Sequence, residues 1–193
     1  MLKKDRAIIL KAVNHGESDL IIHALSEHGE FLSLMAKAAL KSKKLFGGGV
    51  LEPTHCVTVN YKMGREGSMG FLNEAKLEKD FSGIRTNLDR LNMGLHFLQV
   101  VRKMSQEGME DQRSLFNILG HALTQLESCS YIQILKLQFE VKLLHQQGVL
   151  PPLADYRELV RKKIVDVDQV VIPKSDLPRI RASVESALNG YLG

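Results

Sequence analysis

The chain has 193 residues, 44% hydrophobic and 25% charged, with a formal net charge of +4. These values suit one large or two small globular domains and argue against wholesale disorder. No apolar run approaches the roughly 18 residues of a membrane span. The start "MLKKDRAIIL" is broken by Asp5 and Arg6, and its "AIIL" is too short for a signal-peptide core, so a cytoplasmic protein is expected. The two cysteines, Cys56 and Cys129, lie far apart, which excludes a four-cysteine zinc site and a disulfide framework. Mildly basic charge permits an anionic partner without demanding one.

Up to about Asp80 the sequence reads as short strands between turn signals. "RAIILKAV" (Arg6 to Val13) is closed by "NHGESD", and "LIIHAL" (Leu20 to Leu25) by "SEHGE". "FLSLMAKA" (Phe31 to Ala38) is the third strand, which makes Lys37 a strand-end residue. In "CVTVNYKM" (Cys56 to Met63), Val57, Val59 and Tyr61 alternate with Thr58 and Asn60, and "MGFLNEAKLEKD" supplies a fifth strand. Strands at this spacing with glycine turns predict a small barrel or sandwich, and five of them fit an OB barrel with a long third-to-fourth connection.

At "FSGIRTNLDR" the apolar period changes. Leu88, Leu91, Leu95, Leu98 and Val101 form one helical stripe, and Leu115, Ile118, Leu119, Ala122 and Leu126 form another. Tyr131 to Gln147 carries two stripes, Ile132–Leu135–Phe139–Leu143 and Ile134–Leu137–Val141–Leu144, which predicts a central helix buried on two sides. Gly148 and Pro151–Pro152 stop it. "DYRELVRKKI" is expected to begin a helix with Asp155 as N-cap, "VDVDQVVIP" to be extended or irregular, and Asp176 to Leu192 to form the last helix with Pro178 in its first turn. The expected class is α+β: a five-stranded OB-fold β-barrel over residues 1–80, then an all-α domain over residues 81–193.

The densest chemistry lies in "KAALKSKKLFGGGVLEP" (Lys37 to Pro53), the third-to-fourth connection. Lys37, Lys41, Lys43 and Lys44 fall within eight residues, and Lys62 and Arg65 sit at the end of the next strand and its turn. Between Phe31 and Arg65 the one acidic residue is Glu52. Such local excess suits a phosphate backbone, which binds through counterion release. Gly47 to Gly49 would let backbone approach a strand, acting as a hinge, and Phe46 would lie against a base. Taken alone, the segment reads equally well as a solvated lysine loop. It is not a phosphate-binding P-loop, because the lysines precede the glycines and no Gly-Lys-Ser/Thr opens a helix. The seven histidines make no closely spaced helical pair and no facial set with carboxylates, so no metal or cofactor is expected. No serine or cysteine occupies a nucleophile motif, and a non-enzymatic protein is expected.

The N-terminal residues resemble the bacterial RecO recombination-mediator family. A Gly-Glu-x-Asp turn is present as Gly16-Glu17-Ser18-Asp19, and a Ser/Thr-Glu-x-Gly hairpin as Ser26-Glu27-His28-Gly29. The family's Lys-Gly-Ala-Arg-x-Ser-Lys-x-x-Phe stretch and its Leu-Glu-Pro are matched by Lys37, Ala39, Ser42, Lys43, Phe46, Leu51, Glu52 and Pro53. The resemblance covers about the first 80 residues closely and continues more weakly through "LKLQFEVKLLHQQGVLP". It implies an OB fold followed by a helical domain, and single- and double-stranded DNA binding with strand annealing. It also implies loading of the RecA recombinase onto DNA coated by single-strand-binding protein, in the nucleoid-associated cytoplasm. The implied partners are RecR and the acidic, apolar C-terminal tail of single-strand-binding protein.

Two departures stand out. Ala38 and Leu40 occupy the positions of the family's glycine and arginine. Where many members carry a CxxC…CxxC zinc module, this chain has "LADYRELV", with Tyr156 and Leu159 near the first cysteine pair, so zinc is not expected. An alternative reading makes the barrel a scaffold and the helical half a protein-interaction adaptor. In it, Arg102, Lys103, Lys136 and Lys142 would flank a groove for a partner's acidic tail.

Overall fold

A computed structural model describes residues 2–64, 69–106, 113–150 and 156–193. Five strands close into a barrel: β1 (Leu2–His15), β2 (Asp19–Ser26), β3 (Phe31–Ala36), β4 (Cys56–Lys62) and β5 (Gly70–Lys79), in the order β1-β2-β3-β5-β4. This is the five-stranded OB architecture expected. The first strand runs well beyond the Arg6–Val13 core of its apolar signal, because both its ends have partners. Ala7 to His15 pair with β2, while Leu2 to Ile8 pair with β4, and an irregularity between Ile9 and Lys11 bends the strand between the two. Parallel pairing of Leu34 with Gly70 and Met35 with Phe71 completes the closure.

Alternation decides which side chains enter the barrel. On β4, Val57, Val59 and Tyr61 are buried, while Thr58 and Asn60 are partly exposed. They join Ile9, Ile22, Leu32, Leu34 and Leu72 in one apolar cluster. The Tyr61 hydroxyl donates to Asp5 Oδ2 at 2.6 Å, so the buried ring keeps a partner for its polar end. Burial first, then that hydrogen bond, raises its pKa above the usual tyrosine value.

The helical part consists of α2 (Leu88–Gln106), α3 (Arg113–Leu126), α4 (Ile132–Gln146), α5 (Arg157–Arg161) and α6 (Leu177–Leu192), with 3₁₀ turns at Ser82–Thr86 and Ile164–Gln169. The chain divides into two compact units. One comprises residues 1–82 and 95–117, so the later part of α2 and the start of α3 belong with the barrel; the other comprises residues 83–94 and 118–193. Within the first, the Arg6 guanidinium lies 5.9 Å from the Phe116 ring centroid. Among the described residues no helix is long and apolar enough to cross a membrane.

In the second unit α4 packs against α5, α6 and the Ile164–Gln169 turn. It buries Leu135, Leu137, Phe139, Val141, Leu143 and Leu144, six of the eight residues of the two apolar stripes, while Ile132 and Ile134 are half-buried. Gln138 and Glu140 are buried with them. Gln138 Nε2 donates to the carbonyls of Lys162 and Lys163, at 3.0 and 3.3 Å, where the chain leaves α5 in extended conformation. The helix expected from "DYRELVRKKI" therefore ends at Arg161, short of the run's apolar end. Its expected N-cap, Asp155, lies outside the described residues. The "VDVDQ" segment is a 3₁₀ turn that buries Ile164 and Val167, and α6 starts after Asp176 with Pro178 in its first turn.

Gln138→Ala removes a buried donor from two carbonyls and leaves a cavity. It should lower unfolding stability by about 3 kcal/mol in chemical denaturation. A change below about 0.5 kcal/mol would mean those carbonyls have equivalent partners without it.

Candidate nucleic-acid interface

The connection from β3 to β4 is held at several points. Asp19, at the start of β2, accepts the Ala38 N–H on Oδ1 at 2.7 Å, and the Ser18 carbonyl accepts the Leu40 N–H at 3.0 Å. These bonds turn the chain out of β3 after Ala36, so Lys37 is the first residue beyond the strand. Ala38 pays for the turn with a φ of 52°, in the left-handed region that favours glycine. The family resemblance puts glycine at this position, and the geometry gives the physical reason.

Ser42 Oγ then accepts the Leu45 N–H at 3.2 Å and caps a single helical turn, α1 (Lys43–Phe46). Gly47–Gly49 continue it as a 3₁₀ turn. At Gly49 (φ +72°) an added Cβ would stand 2.5 Å from Glu52 Oε1. Gly49 therefore stands close to the Glu52 side chain, at a backbone angle that favours glycine. His55 secures the return: Nδ1–H donates to the Val50 carbonyl at 3.2 Å, and Nε2 lies 3.9 Å from the Glu52 carboxylate.

Phe46 occupies a different place from the one expected of it. It is only 6% exposed and belongs to the barrel's apolar cluster with Ala39 and Leu51. Its ring is an anchor for the connection and also lines the cavity under it, rather than standing on the exposed lysine face. An exposed aromatic on the barrel is Phe71, at 45% exposure, which the sequence reading did not single out. It stands opposite Met35 on β3 and Lys62 on β4, and Lys37 Nζ lies 5.2 Å from its ring centroid. Lys37, Lys41, Lys44 and Lys62 are all exposed. Lys43 opens α1, but its side chain lies outside the described atoms; Arg65 lies outside the described residues altogether. The structure therefore gathers Lys37 and Lys62 around Phe71, and sets Lys41 and Lys44 on the pinned connection.

Beside this face, His23 stacks on Phe31 with ring centroids 5.6 Å apart. Burial, then the charges of Arg102 and Lys11, hold its imidazole below the ordinary histidine pKa, which favours the neutral ring at neutral pH.

The four residues of the adaptor reading are not equivalent. Arg102 and Lys103 belong to the first unit, Lys136 and Lys142 to the second. Lys136 is bound to the buried Glu140 carboxylate at 2.9 Å. Lys142 donates to the Val160 carbonyl at 2.8 Å, and burial lowers its pKa. Both second-unit lysines make contacts within their own unit, and Lys136 also lines a small pocket with Gln133, Leu137, Arg181 and Glu185.

Asp5, Glu27 and His28 bring three potential metal-ligand atoms within 4.8 Å of one another, a set that sequence spacing hid because Asp5 is on another strand. Asp5 already accepts from Tyr61, and Glu27 lies 3.9 Å from the Arg6 guanidinium. Cys56 and Cys129 are buried, and burial raises the pKa of both thiols. Nucleophilic or ligating thiolates are disfavoured there.

Phe46→Ala should cost about 3–5 kcal/mol of unfolding stability, as expected of a core aromatic. Ala38→Gly should be neutral or stabilising by up to about 1 kcal/mol, because it relieves the left-handed backbone. Denaturant titration of both variants checks the pair; a harmless Phe46→Ala would contradict the anchor assignment.

Residues 1–81 match the family model "Recombination protein O N terminal", and residues 85–156 match "Recombination protein O C terminal". The chain is 32% identical over 150 residues to the DNA repair protein RecO of Syntrophobacter fumaroxidans, covering 78% of this chain and 58% of that protein. It is 32% identical over 155 residues to the DNA repair protein RecO of Desulfosudis oleivorans, with coverage of 78% and 58%. The Myxococcus xanthus protein of the same name is 32% identical over 148 residues, with coverage of 76% and 59%. The chain thus spans somewhat under two thirds of the length of these relatives. Two successive family models that together run through the barrel and most of the helices establish that the chain belongs to the RecO family.

Proposed function

We propose that the protein acts in DNA repair as a non-enzymatic, DNA-binding recombination mediator, with the barrel as its nucleic-acid-binding domain. The observation that carries this reading is the exposed Phe71 flanked by Lys37 and Lys62, next to a connection that presents Lys41 and Lys44. Lysines neutralise phosphates without reading sequence, and an exposed ring stacks on any base. The combination suits sequence-indifferent contact with single strands, as a protein that anneals strands requires. Double-stranded DNA would engage the same lysines through its phosphates alone.

The finer roles follow from family membership: strand annealing, and loading of RecA onto DNA coated by single-strand-binding protein, with RecR and the tail of that protein as partners. The adaptor reading retains Arg102 and Lys103 as candidate contacts. It loses support at Lys136 and Lys142, whose ammonium groups are already engaged within the fold.

In titrations of a labelled single strand at several salt concentrations, Lys41→Ala/Lys44→Ala should lower the slope of log affinity against log salt. The expected drop is about 0.7 for each lysine that holds a phosphate. Phe71→Ala should weaken binding by about 1–3 kcal/mol with little change in slope, the signature of lost stacking. Unchanged affinity and slope in both variants would remove the barrel face as the DNA site.

A further inference from the structure

Beneath the lysine-bearing connection lies a cavity of about 370 Å³. Its lining includes Ala12 and Leu20 from β1 and β2, Leu40, Phe46 and Pro53 from the connection, and the acidic residue Glu52. We propose that this cavity receives one extruded nucleobase of a bound single strand, with preference for bases that carry an exocyclic amine. The inference rests on the DNA-binding reading above and names a contact that the lysine face alone does not provide.

Two features of opposite charge select the occupant. Exposed Lys41 and Lys44 lie on the segment that forms the cavity wall, so an anionic backbone is favoured outside. Glu52 is in the lining itself, so an acidic peptide tail is disfavoured inside. A peptide with a basic anchor would instead meet the lysines. A nucleotide satisfies both, with phosphate outward and a flat, amine-bearing base inward. The aliphatic walls of Leu20, Leu40 and Pro53 suit the faces of a ring, and the volume falls within the range of small-molecule pockets. Glu52 already lies 3.9 Å from His55, yet a carboxylate has several lone-pair directions and accepts further hydrogen bonds. An acidic side chain accepts from the cytosine N4 amine. Thymine offers no exocyclic amine, and its one donor on that edge, N3–H, is flanked by two carbonyls that a carboxylate repels.

The test compares oligo-dC, oligo-dT and an abasic strand of equal length, binding to the full chain at fixed low salt and across a salt series. Oligo-dC should bind about three- to tenfold tighter than oligo-dT, the value of one added hydrogen bond, and the abasic strand should bind weakest. Glu52→Gln keeps the side-chain shape and can donate as well as accept, so the dC and dT affinities should converge to within about twofold. Leu40→Trp, which fills the mouth from an exposed position, should remove the same preference while preserving the salt slope. Equal binding of dC and dT by the unaltered protein, with its salt slope intact, would overturn the base pocket and leave the phosphate reading standing. A dC preference that survives both substitutions would also overturn it. Failure to bind any of the three strands at low salt would overturn the DNA-binding reading itself.

Discussion

The insertion of Phe46 into the barrel core is the constraint on which the candidate site depends. A connection with three consecutive glycines has ample freedom to wander. Burying one aromatic ring beside Ala39 and Leu51 fixes its middle, and the Asp19 carboxylate fixes its start at Ala38. Burial of a ring this size contributes about 2–3 kcal/mol of transfer free energy, enough to outweigh the ordering of a residue or two around it. Lys41 and Lys44 are presented from a segment tied down on both sides of them, so in the proposed role less conformational entropy would be lost on binding phosphates.

That arrangement explains why the residues of the Gly-Glu-x-Asp turn and of the basic stretch belong to one device although they are distant in sequence. Asp19 is exposed to no special chemistry of its own. Its function is to accept a backbone N–H at the point where the chain leaves β3, and the left-handed φ of Ala38 is the geometric consequence. Glu52 closes the same loop from the other end through His55. The acid set among the lysines therefore ties down the end of the connection and also lines the cavity.

The barrel, its strand alternation and the two-sided burial of α4 were legible in the sequence, because period-two and helical spacing survive whatever the tertiary context. The roles of the two phenylalanines were not. Phe46 follows four lysines and precedes glycines, a neighbourhood that suggests solvent, and only barrel closure turns its ring inward. Phe71 follows Gly70 and precedes the buried Leu72, and that alternation was the available signal for an outward ring. The internal contacts of Lys136 and Lys142 were hidden for a related reason. A helix apolar on two faces leaves little solvated surface, so its lysines must find partners inside the unit, as the Glu140 carboxylate and the Val160 carbonyl provide. The Asp5–Glu27–His28 cluster needed strand pairing to appear at all.

The account makes the barrel face, rather than the helices, the first contact with DNA. Its most direct test is acetylation footprinting of lysines, read by mass spectrometry with and without a saturating single-stranded oligonucleotide. Protection at Lys37, Lys41, Lys44 and Lys62, with Lys103 and Lys136 unaffected, is the result predicted. Protection confined to Lys103 and Lys136, with the barrel lysines as reactive as in the free protein, would contradict it.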